Sequence, residues 1–374
     1  MALIVQKYGG SSIPTAERIR RVAERVVGAY DQGHDVVVVV SAMGDATDEL
    51  LALARNVDTA PCPRELDTLL SVGEQVSSAL TAMTIHALGG SACSCSGRQA
   101  GVITTPAHGG ARIVDVRPRL VREALDRGMI PVVTGFQGVC GENDDEVTTL
   151  GRGGSDTTAV ALAAALKADV CEICTNVDGV LTADPALVPE ARPIGHLTHE
   201  AMRELAAGGA RVLALSGAEY AERYAVPLRV RSSYGEHPGT VVSAERPPPY
   251  GSPARVVGLA HDPSPDAPAA LRTCHRGIGH GALVHEDDVG TVSLVGTGLR
   301  SHAGIFLRLR ETLNRVEVPF EPVSASDTRI SVLCRASLLP DAVRALHKAF
   351  VEREPAQPLW QTGSDEAVAV VRGR

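Results

Sequence analysis

A glycine-rich stretch at residues 148–165 carries the strongest chemical signal in the sequence. It reads TTLGRGGSDTTAVALAAA, with three glycines around Arg152, then Ser155 and Asp156, then an apolar run. Glycines let a backbone approach a ligand closely, and an arginine can grip a carboxylate or phosphate through two parallel bonds. Ser and Asp are favoured helix N-caps, and a helix N-terminus attracts anions. The stretch predicts either an anion-binding loop before a buried helix or a glycine-rich turn with a solvated arginine.

Lys7 is a second candidate for phosphate chemistry. It follows a short apolar strand predicted at residues 3–6 and precedes Gly9 and Gly10. A lysine at that position can reach a transferring phosphate over a loop whose amides line the same site. The alternative is a solvated lysine at the end of a strand, and the spacing alone slightly favours this alternative.

Further polar residues stand near predicted element ends. Ser71 and Glu74 have the spacing of a capping box, so Glu74 either closes a helix start or binds a substrate ammonium group. Asn176, Asp178 and Asp184 lie in a polar loop after a strand. They either contribute to Mg–nucleotide binding or are ordinary turn residues.

The elements that position these residues alternate between strand and helix. Buried strands are predicted at residues 35–40, 130–133, 170–175 and 226–231. Helices are predicted at residues 14–29, with Pro14 in the first turn, from Thr47, and over residues 64–87. This alternation predicts an α/β fold with a mostly parallel sheet between helices. Ligands of such sheets bind beyond the carboxyl ends of the strands. We expect four polar loops to meet the glycine-rich stretch there, at residues 7–10, 41–44, 134–135 and 176–179.

A second, smaller domain is predicted after a proline-rich linker. Residues 244–255 contain four prolines and no apolar period, so we expect domains at 1–243 and 256–374. Strands at 292–295, 329–334 and 367–371 and helices within 299–314 and at 339–350 form a split βαβ pattern, which is typical of an α+β domain.

Composition excludes several classes of protein. The net charge of −8 over 374 residues argues against a nucleic-acid partner. The apolar run at residues 1–10 is too short and wrongly flanked for a signal peptide, and no stretch approaches the length of a membrane span. Cys171 and Cys174 form a CxxC, but in a strand they point to opposite faces. We therefore expect free thiols in a reducing cytoplasm and no metal-ligating residue set.

Taken together, these segments resemble the aspartokinases of the amino-acid kinase family. The matching segments are residues 7–12, 38–44, 71–76, 150–156, 177–179, 182–185 and 230–233. Residues 292–350 resemble the second of that family's two ACT domains, which gives one complete unit at about 290–352. The first unit is reduced to the stretch before Gly290.

The resemblance implies ATP-dependent, Mg²⁺-assisted phosphorylation of the L-aspartate side chain, in a homo-oligomer formed through the ACT region. The roles that it implies concern three groups of residues. Lys7, Gly9 and Gly10 hold the transferred phosphates, and Asp156 orders the site beside Lys7. Aspartate is bound by Ser41, Glu74, Arg152 and Ser155, and the nucleotide pocket is formed by Thr175, Asn176, Asp178, Asp184 and Arg211.

Departures from the family pattern keep two alternatives open. Asn176 replaces the family's aspartate, Arg211 replaces a lysine, and Ala186 replaces an arginine that contacts the nucleotide phosphates. The residues assigned to aspartate therefore match the family pattern, whereas those assigned to the nucleotide depart from it. The alternatives are a kinase of another acidic amino acid and an inactive paralogue that acts as a binding or regulatory subunit.

Overall fold

The computed structural model describes residues 1–141, 146–244, 255–263 and 289–352. The strands are β1 (Leu3–Tyr8), β2 (Asp35–Val40), β3 (Ala92–Cys95), β4 (Val102–Thr104), β5 (Ile113–Val116), β6 (Ile130–Thr134), β7 (Gln137–Cys140), β8 (Val147–Thr149), β9 (Val170–Thr175), β10 (His196–Thr198), β11 (Leu228–Ser232), β12 (Thr240–Ser243), β13 (Arg255–Asp262), β14 (Gly290–Thr297), β15 (Phe320–Ala325) and β16 (Arg329–Cys334). The helices are α1 (Ala16–Asp31), α2 (Ala46–Val57), α3 (Pro63–Leu70), α4 (Val72–Ala87), α5 (Arg119–Asp126), α6 (Gly154–Leu166), α7 (His199–Ala207), α8 (Leu215–Tyr224), α9 (Ala303–Arg315) and α10 (Leu339–Phe350).

The chain forms two compact units. The first comprises Met1–Gly179 and Val212–Ala244, and the second comprises Val180–Arg211 and the described residues after Ala244. The strand predicted at 367–371 and nearly all of the predicted linker lie outside the described residues. The domain boundaries expected from the sequence stay a prediction.

The first unit is built on a parallel sheet. β11, β9, β1, β2, β6 and β3 are neighbours in that order and run parallel, and β12 pairs antiparallel with β11. All five valines of β2 are buried, as expected for a central strand covered on both faces. A smaller sheet in the same unit has the order β5-β4-β7-β8. The predicted fold class is confirmed.

Helices cover both faces of the parallel sheet. Val22 of α1 and Ile85 of α4 belong to one core cluster with Val38 and Val40 of β2. On the opposite face lies α6, of which 11 of 13 residues are buried. The apolar Ala/Leu/Val run after Asp156 therefore forms the buried helix that its composition predicts.

One helix prediction is wrong in detail, and the prediction that residues 64–87 are mostly helical is confirmed. α1 begins at Ala16, not at Pro14, because the Oγ1 atom of Thr15 accepts the Arg18 N–H (3.3 Å) and caps the helix. The helical stretch predicted at 64–87 is divided into α3 and α4 at Ser71. The start of α1 is thus set by a side-chain hydrogen bond, as is common at helix ends.

The second unit contains an antiparallel sheet of order β13-β14-β16-β15, with α9 and α10 packed on it through one core cluster. The strands and helices predicted between residues 292 and 350 are confirmed. β15 was not predicted, since Pro322 interrupts its pattern, and its register shifts beside that proline. Among the described residues, no helix is long and apolar enough to cross a membrane.

Candidate active site

The loops that leave neighbouring strands of the parallel sheet are joined at its carboxyl edge. The N–H of Ser41, after β2, donates to the carbonyl of Tyr8 at the end of β1 (3.0 Å), and the N–H of Gly44 donates to that of Gly10 (3.1 Å). A side chain at Gly10 would place its Cβ 2.7 Å from the carbonyl oxygen of Ala42. Glycine at this position therefore lets the turn after β1 lie directly against the turn after β2.

Lys7 and Asp156 form an ion pair at this edge. The Nζ atom of Lys7 lies 2.6 Å from Oδ1 of Asp156, and the two side chains are only 14% and 10% exposed. The other carboxylate oxygen of Asp156 accepts the N–H of Ala214 (3.0 Å). A Cβ at Gly9 would lie 3.3 Å from Nζ, so the ammonium stands over the glycine turn. The alternative of a solvated Lys7 is wrong.

The glycine-rich loop ends in a turn that only glycine can form. Gly153 caps α6 in the left-handed region (φ 76°), and a Cβ there would lie 2.2 Å from that of Ala214. Ser155 and Asp156 therefore lie inside the first turn of α6, and the prediction that they cap it is wrong. Arg152 is exposed and has no hydrogen bond or ion pair within the described part of the chain.

Glu74 is a buried carboxylate with one free oxygen. Its side chain does not close the start of α4, so the capping-box interpretation is wrong. Oε1 accepts the N–H of Ala42 (2.9 Å), whereas Oε2 is buried with no partner in the described residues. Burial raises the pKa of the Glu74 carboxyl to about 7. Such a group can accept an ammonium donor in its ionised form.

This pKa predicts a pH-dependent affinity for the amino-acid substrate. The KM for aspartate should fall as the pH rises through about 7, because ionised Glu74 attracts the substrate ammonium. Glu74→Gln should raise that KM and flatten its pH dependence, while Glu49→Gln, at an exposed position of α2, should change neither. Steady-state kinetics at several pH values checks this, and an unchanged pH profile in Glu74→Gln would assign the dependence to another group.

The raised pKa of Glu74 also makes the stability of the protein depend on pH. The folded-state pKa of Glu74 lies above the ordinary value of 4.5, so its favourable contribution to the free energy of unfolding is present at low pH. That contribution is lost as the pH rises through about 7, where the buried group must ionise. Glu74→Gln should therefore raise the melting temperature above the wild-type value at a pH of about 8 and have little effect near 5.

Ser41 and Ser155 lie at the same edge as Glu74. The carbonyl of Ser41 accepts the hydroxyl of Ser77 (2.7 Å), which fixes the end of β2 to α4. Ser155 is 6% exposed and packs closely on Gly135, where a Cβ would lie 2.7 Å from the serine Oγ. Both serines therefore belong to rigid parts of the first unit.

The residues assigned to the nucleotide divide between the two units. In the first, Thr175 ends β9 and donates from Oγ1 to Oδ1 of Asn176 (3.2 Å), and Asp178 is exposed two residues later. In the second, Asp184 accepts the N–H of Ala186 (2.8 Å), which is a turn of the ordinary Asx type, and Arg211 is exposed.

Asp67 is a positioning residue that the sequence analysis missed. It is fully buried and accepts the N–H groups of Gly109 (3.0 Å) and Thr149 (3.1 Å), and it lies 2.8 Å from Nδ1 of His108. It therefore joins α3 to the strand that leads into the glycine-rich loop. An aspartate three positions before Leu70, on the buried face of α3, was the signal that could have revealed it.

Comparison with known proteins decides the family. Residues 2–232 match the amino acid kinase family and residues 292–350 match the ACT domain. The aspartokinase of Corynebacterium efficiens is 47% identical, over 100% of this chain and 99% of its own length. The chain belongs to the aspartokinase family.

Two further aspartokinases resemble this chain. That of Mycobacterium tuberculosis is 49% identical over 94% of the chain and 96% of its own length. The structure of E. coli aspartokinase III in complex with aspartate and ADP shares the fold at a TM-score of 0.76. It is 22% identical and covers 94% of this chain and 100% of its own. The matches to aspartokinases thus extend over both units of the chain.

Proposed function

We propose that this aspartokinase transfers the γ-phosphoryl group of ATP to the side-chain carboxylate of L-aspartate at the carboxyl edge of the first unit. The observation that carries the proposal is the Lys7–Asp156 ion pair, which holds a largely buried ammonium over the Gly9–Gly10 turn. Acceptor carboxylates are ionised at neutral pH, so the attack needs no general base. A carboxylate oxygen bonds to phosphorus as the bond to the ADP oxygen breaks, which gives an acyl phosphate.

Lys7 and the glycine turn have the electrostatic role. Phosphoryl transfer leaves little covalent work to the protein, so positioning and charge neutralisation dominate catalysis. Asp156 fixes the ammonium of Lys7 by a direct contact, and the Ala214 N–H fixes Asp156 in turn. Lys7 therefore needs no reorganisation when charge develops on the transferred group.

The two charged backbone groups of aspartate are each bound by a residue of opposite charge. Glu74, with its free buried oxygen, takes the α-ammonium group, and exposed Arg152 takes the α-carboxylate through its planar fork. Ser41 and Ser155 complete the pocket. Anchoring both backbone groups leaves the side-chain carboxylate as the free nucleophile.

Mg²⁺ fits this site as a phosphate-bound ion. Among the described residues there is no cluster of three or more metal-ligating side chains. Mg²⁺ in kinases is held by substrate phosphates with one or two carboxylates, so a dedicated cage is not needed. Exposed Asp178 is the carboxylate that would hold it, and when bound the ion neutralises phosphate charge.

The nucleotide site should have one positive charge fewer than the family pattern, and we therefore expect weaker ATP binding. Ala186 stands where a phosphate-binding arginine is expected, and such a contact contributes about 1.5–3 kcal/mol. Ala186→Arg should therefore lower the KM for ATP by roughly tenfold or more and leave that for aspartate unchanged. Steady-state kinetics measures both. A matched Ala207→Arg, at the exposed end of α7, should be neutral, and an unchanged KM for ATP in Ala186→Arg would show that this loop does not face the phosphates.

The oligomeric state and the cellular location are further parts of this proposal. We propose a homo-oligomer assembled through the ACT region and a cytoplasmic location, where ATP and aspartate are available. Analytical ultracentrifugation of the full chain, compared with a chain that ends at residue 243, tests the first of these.

A direct test of the function is ADP formation by the purified chain with L-aspartate, L-glutamate and D-aspartate. L-Aspartate should give the highest kcat/KM. Glu74 and Arg152 fix the backbone groups of the acceptor, and the side chain of L-glutamate, one methylene longer, would then place its carboxylate away from the position of the attacking group. Preferential use of L-glutamate would favour the alternative of another acidic acceptor. Failure of all three acceptors to stimulate ADP release would favour an inactive paralogue.

A further inference from the structure

A polar cavity lies in the first unit, on the face of the sheet opposite to Lys7. It measures about 680 Å³ and is lined by Arg21 and Arg25 of α1 and by Arg229 and Arg231 of β11. Side chains alternate between the two faces along a strand. The α1 face therefore presents a different set of residues from the face that carries Lys7. The cavity is thus separate from the candidate active site.

The cavity has an excess of positive charge. Glu172, which is 4% exposed, accepts the amide of Gln6 (3.0 Å) and pairs with Arg231 (3.2 Å) and Arg229 (3.6 Å). One other carboxylate, Glu236, lines it. Among the described residues that line the cavity, four arginines thus face two carboxylates.

The two arginines of α1 differ in their surroundings. Arg21 stands at the mouth, where it pairs with exposed Glu17 (3.0 Å). Arg25 lies deeper and donates from Nη1 to the neutral carbonyl of Ser232 (2.9 Å). The charge of Arg25 therefore has no close carboxylate partner among the described residues.

Unsatisfied hydrogen-bonding atoms cluster at this cavity. Of the seven buried side-chain nitrogen and oxygen atoms without a hydrogen-bond partner in the described residues, three belong to residues that line it. They are Nη2 of Arg25, Nε of Arg231 and Nδ1 of His34. A buried donor left unpaired costs about 1–3 kcal/mol.

We propose that this cavity is a binding site for a small polyanion that carries two or more phosphate or carboxylate groups. Arginine forks fit both groups, and the free edges of Arg25 and Arg231 offer buried charged donors. A volume of about 680 Å³ is in the range of small-molecule sites. One anionic group would satisfy the deep donors, and a second would meet Arg21 and Arg229 nearer the mouth.

The wall of this cavity is joined to the phosphate turn of the active site. Ser233 lines the cavity, and its Oγ lies 2.7 Å from that of Ser12, which follows the Gly9–Gly10 turn. The N–H of Ser233 also donates to the carbonyl of Thr175 (2.7 Å). A bound polyanion would therefore lie next to residues that contact both the phosphate turn and the end of β9.

Isothermal titration calorimetry with two probes tests the proposal. Inorganic pyrophosphate and citrate are titrated into the full chain carrying Lys7→Ala, which weakens binding at the phosphate turn. At least one anion should bind with a stoichiometry of one per chain, and Arg25→Gln should weaken it by roughly tenfold to a hundredfold. Arg20→Gln, on the same helix but not lining the cavity, should bind as the parent does. The tighter of the two probes identifies the phosphate or carboxylate class.

Two results would overturn the proposal. One is the absence of saturable heat with either probe up to about 10 mM, and the other is equal affinity in Arg25→Gln and its parent. If Arg25→Gln does not fold, Arg21→Gln replaces it, because the Arg21 side chain is 54% exposed. It should weaken binding several-fold, and unchanged binding there would again contradict a site in this cavity.

Discussion

Lys7→Ala should lower kcat by on the order of a hundredfold or more. The ammonium is held 2.6 Å from Asp156 over the Gly9 turn, so it is positioned before charge develops on the transferred phosphate. Removing one preorganised electrostatic group costs about 10²–10³ in turnover. Steady-state kinetics measures the loss, and Lys167→Ala, at the exposed far end of α6, serves as the matched control. Near-normal turnover in Lys7→Ala would exclude the electrostatic role.

A stability measurement separates this role from a structural one. Alanine leaves the largely buried Asp156 without its cation, so Lys7→Ala should also lower the melting temperature. The double variant Lys7→Ala/Asp156→Asn removes both charges and should recover much of that stability, because the neutral amide leaves no unpaired charge buried. Turnover should stay low. Recovery of turnover along with stability would mean that Lys7 serves only to neutralise Asp156.

Arg152→Lys should raise the KM for aspartate by roughly tenfold to a hundredfold and change that for ATP by less than about threefold. A bidentate clamp on a carboxylate is not replaced by the point charge of an ammonium. Folding should be unaffected, since Arg152 is exposed and makes no hydrogen bond or ion pair to the part of the chain that the structure describes. Substrate-saturation curves for both substrates measure the effect.

The control for this variant is Arg127→Lys, an exposed arginine after α5, which should leave both constants unchanged. Equal increases for aspartate and ATP in Arg152→Lys would place the guanidinium on the phosphates instead. No change in either would return Arg152 to the interpretation of a solvated residue in a glycine-rich turn.

Much of the fold could be predicted because its strands and buried helix have strong local patterns. The five consecutive valines of β2 and the Ala/Leu run of α6 each allow one structure, and parallel topology then brings the strand ends together. The short strands of the second sheet of the first unit were not predicted. They have three or four residues each, which gives too little periodicity to identify them.

Several functional side chains could not be placed from sequence because their partners are distant in the chain. Ser71 and Glu74 have the spacing of a capping box, yet Glu74 bonds to Ala42, 32 residues away. Asp156 could cap α6, but it pairs with Lys7 instead. In both cases a tertiary contact of the carboxyl group outweighs a local hydrogen bond of about 1 kcal/mol, and spacing does not encode that competition.

Trapping of the reaction product tests the assignment of this chain most directly. The full chain is incubated with Mg–ATP, L-aspartate and hydroxylamine, which converts an acyl phosphate to a stable hydroxamate. We expect aspartyl hydroxamate to form in step with ADP and to fall by on the order of a hundredfold in Lys7→Ala. ADP release without hydroxamate, or hydroxamate formed equally well without Lys7, would contradict phosphoryl transfer to aspartate at this site.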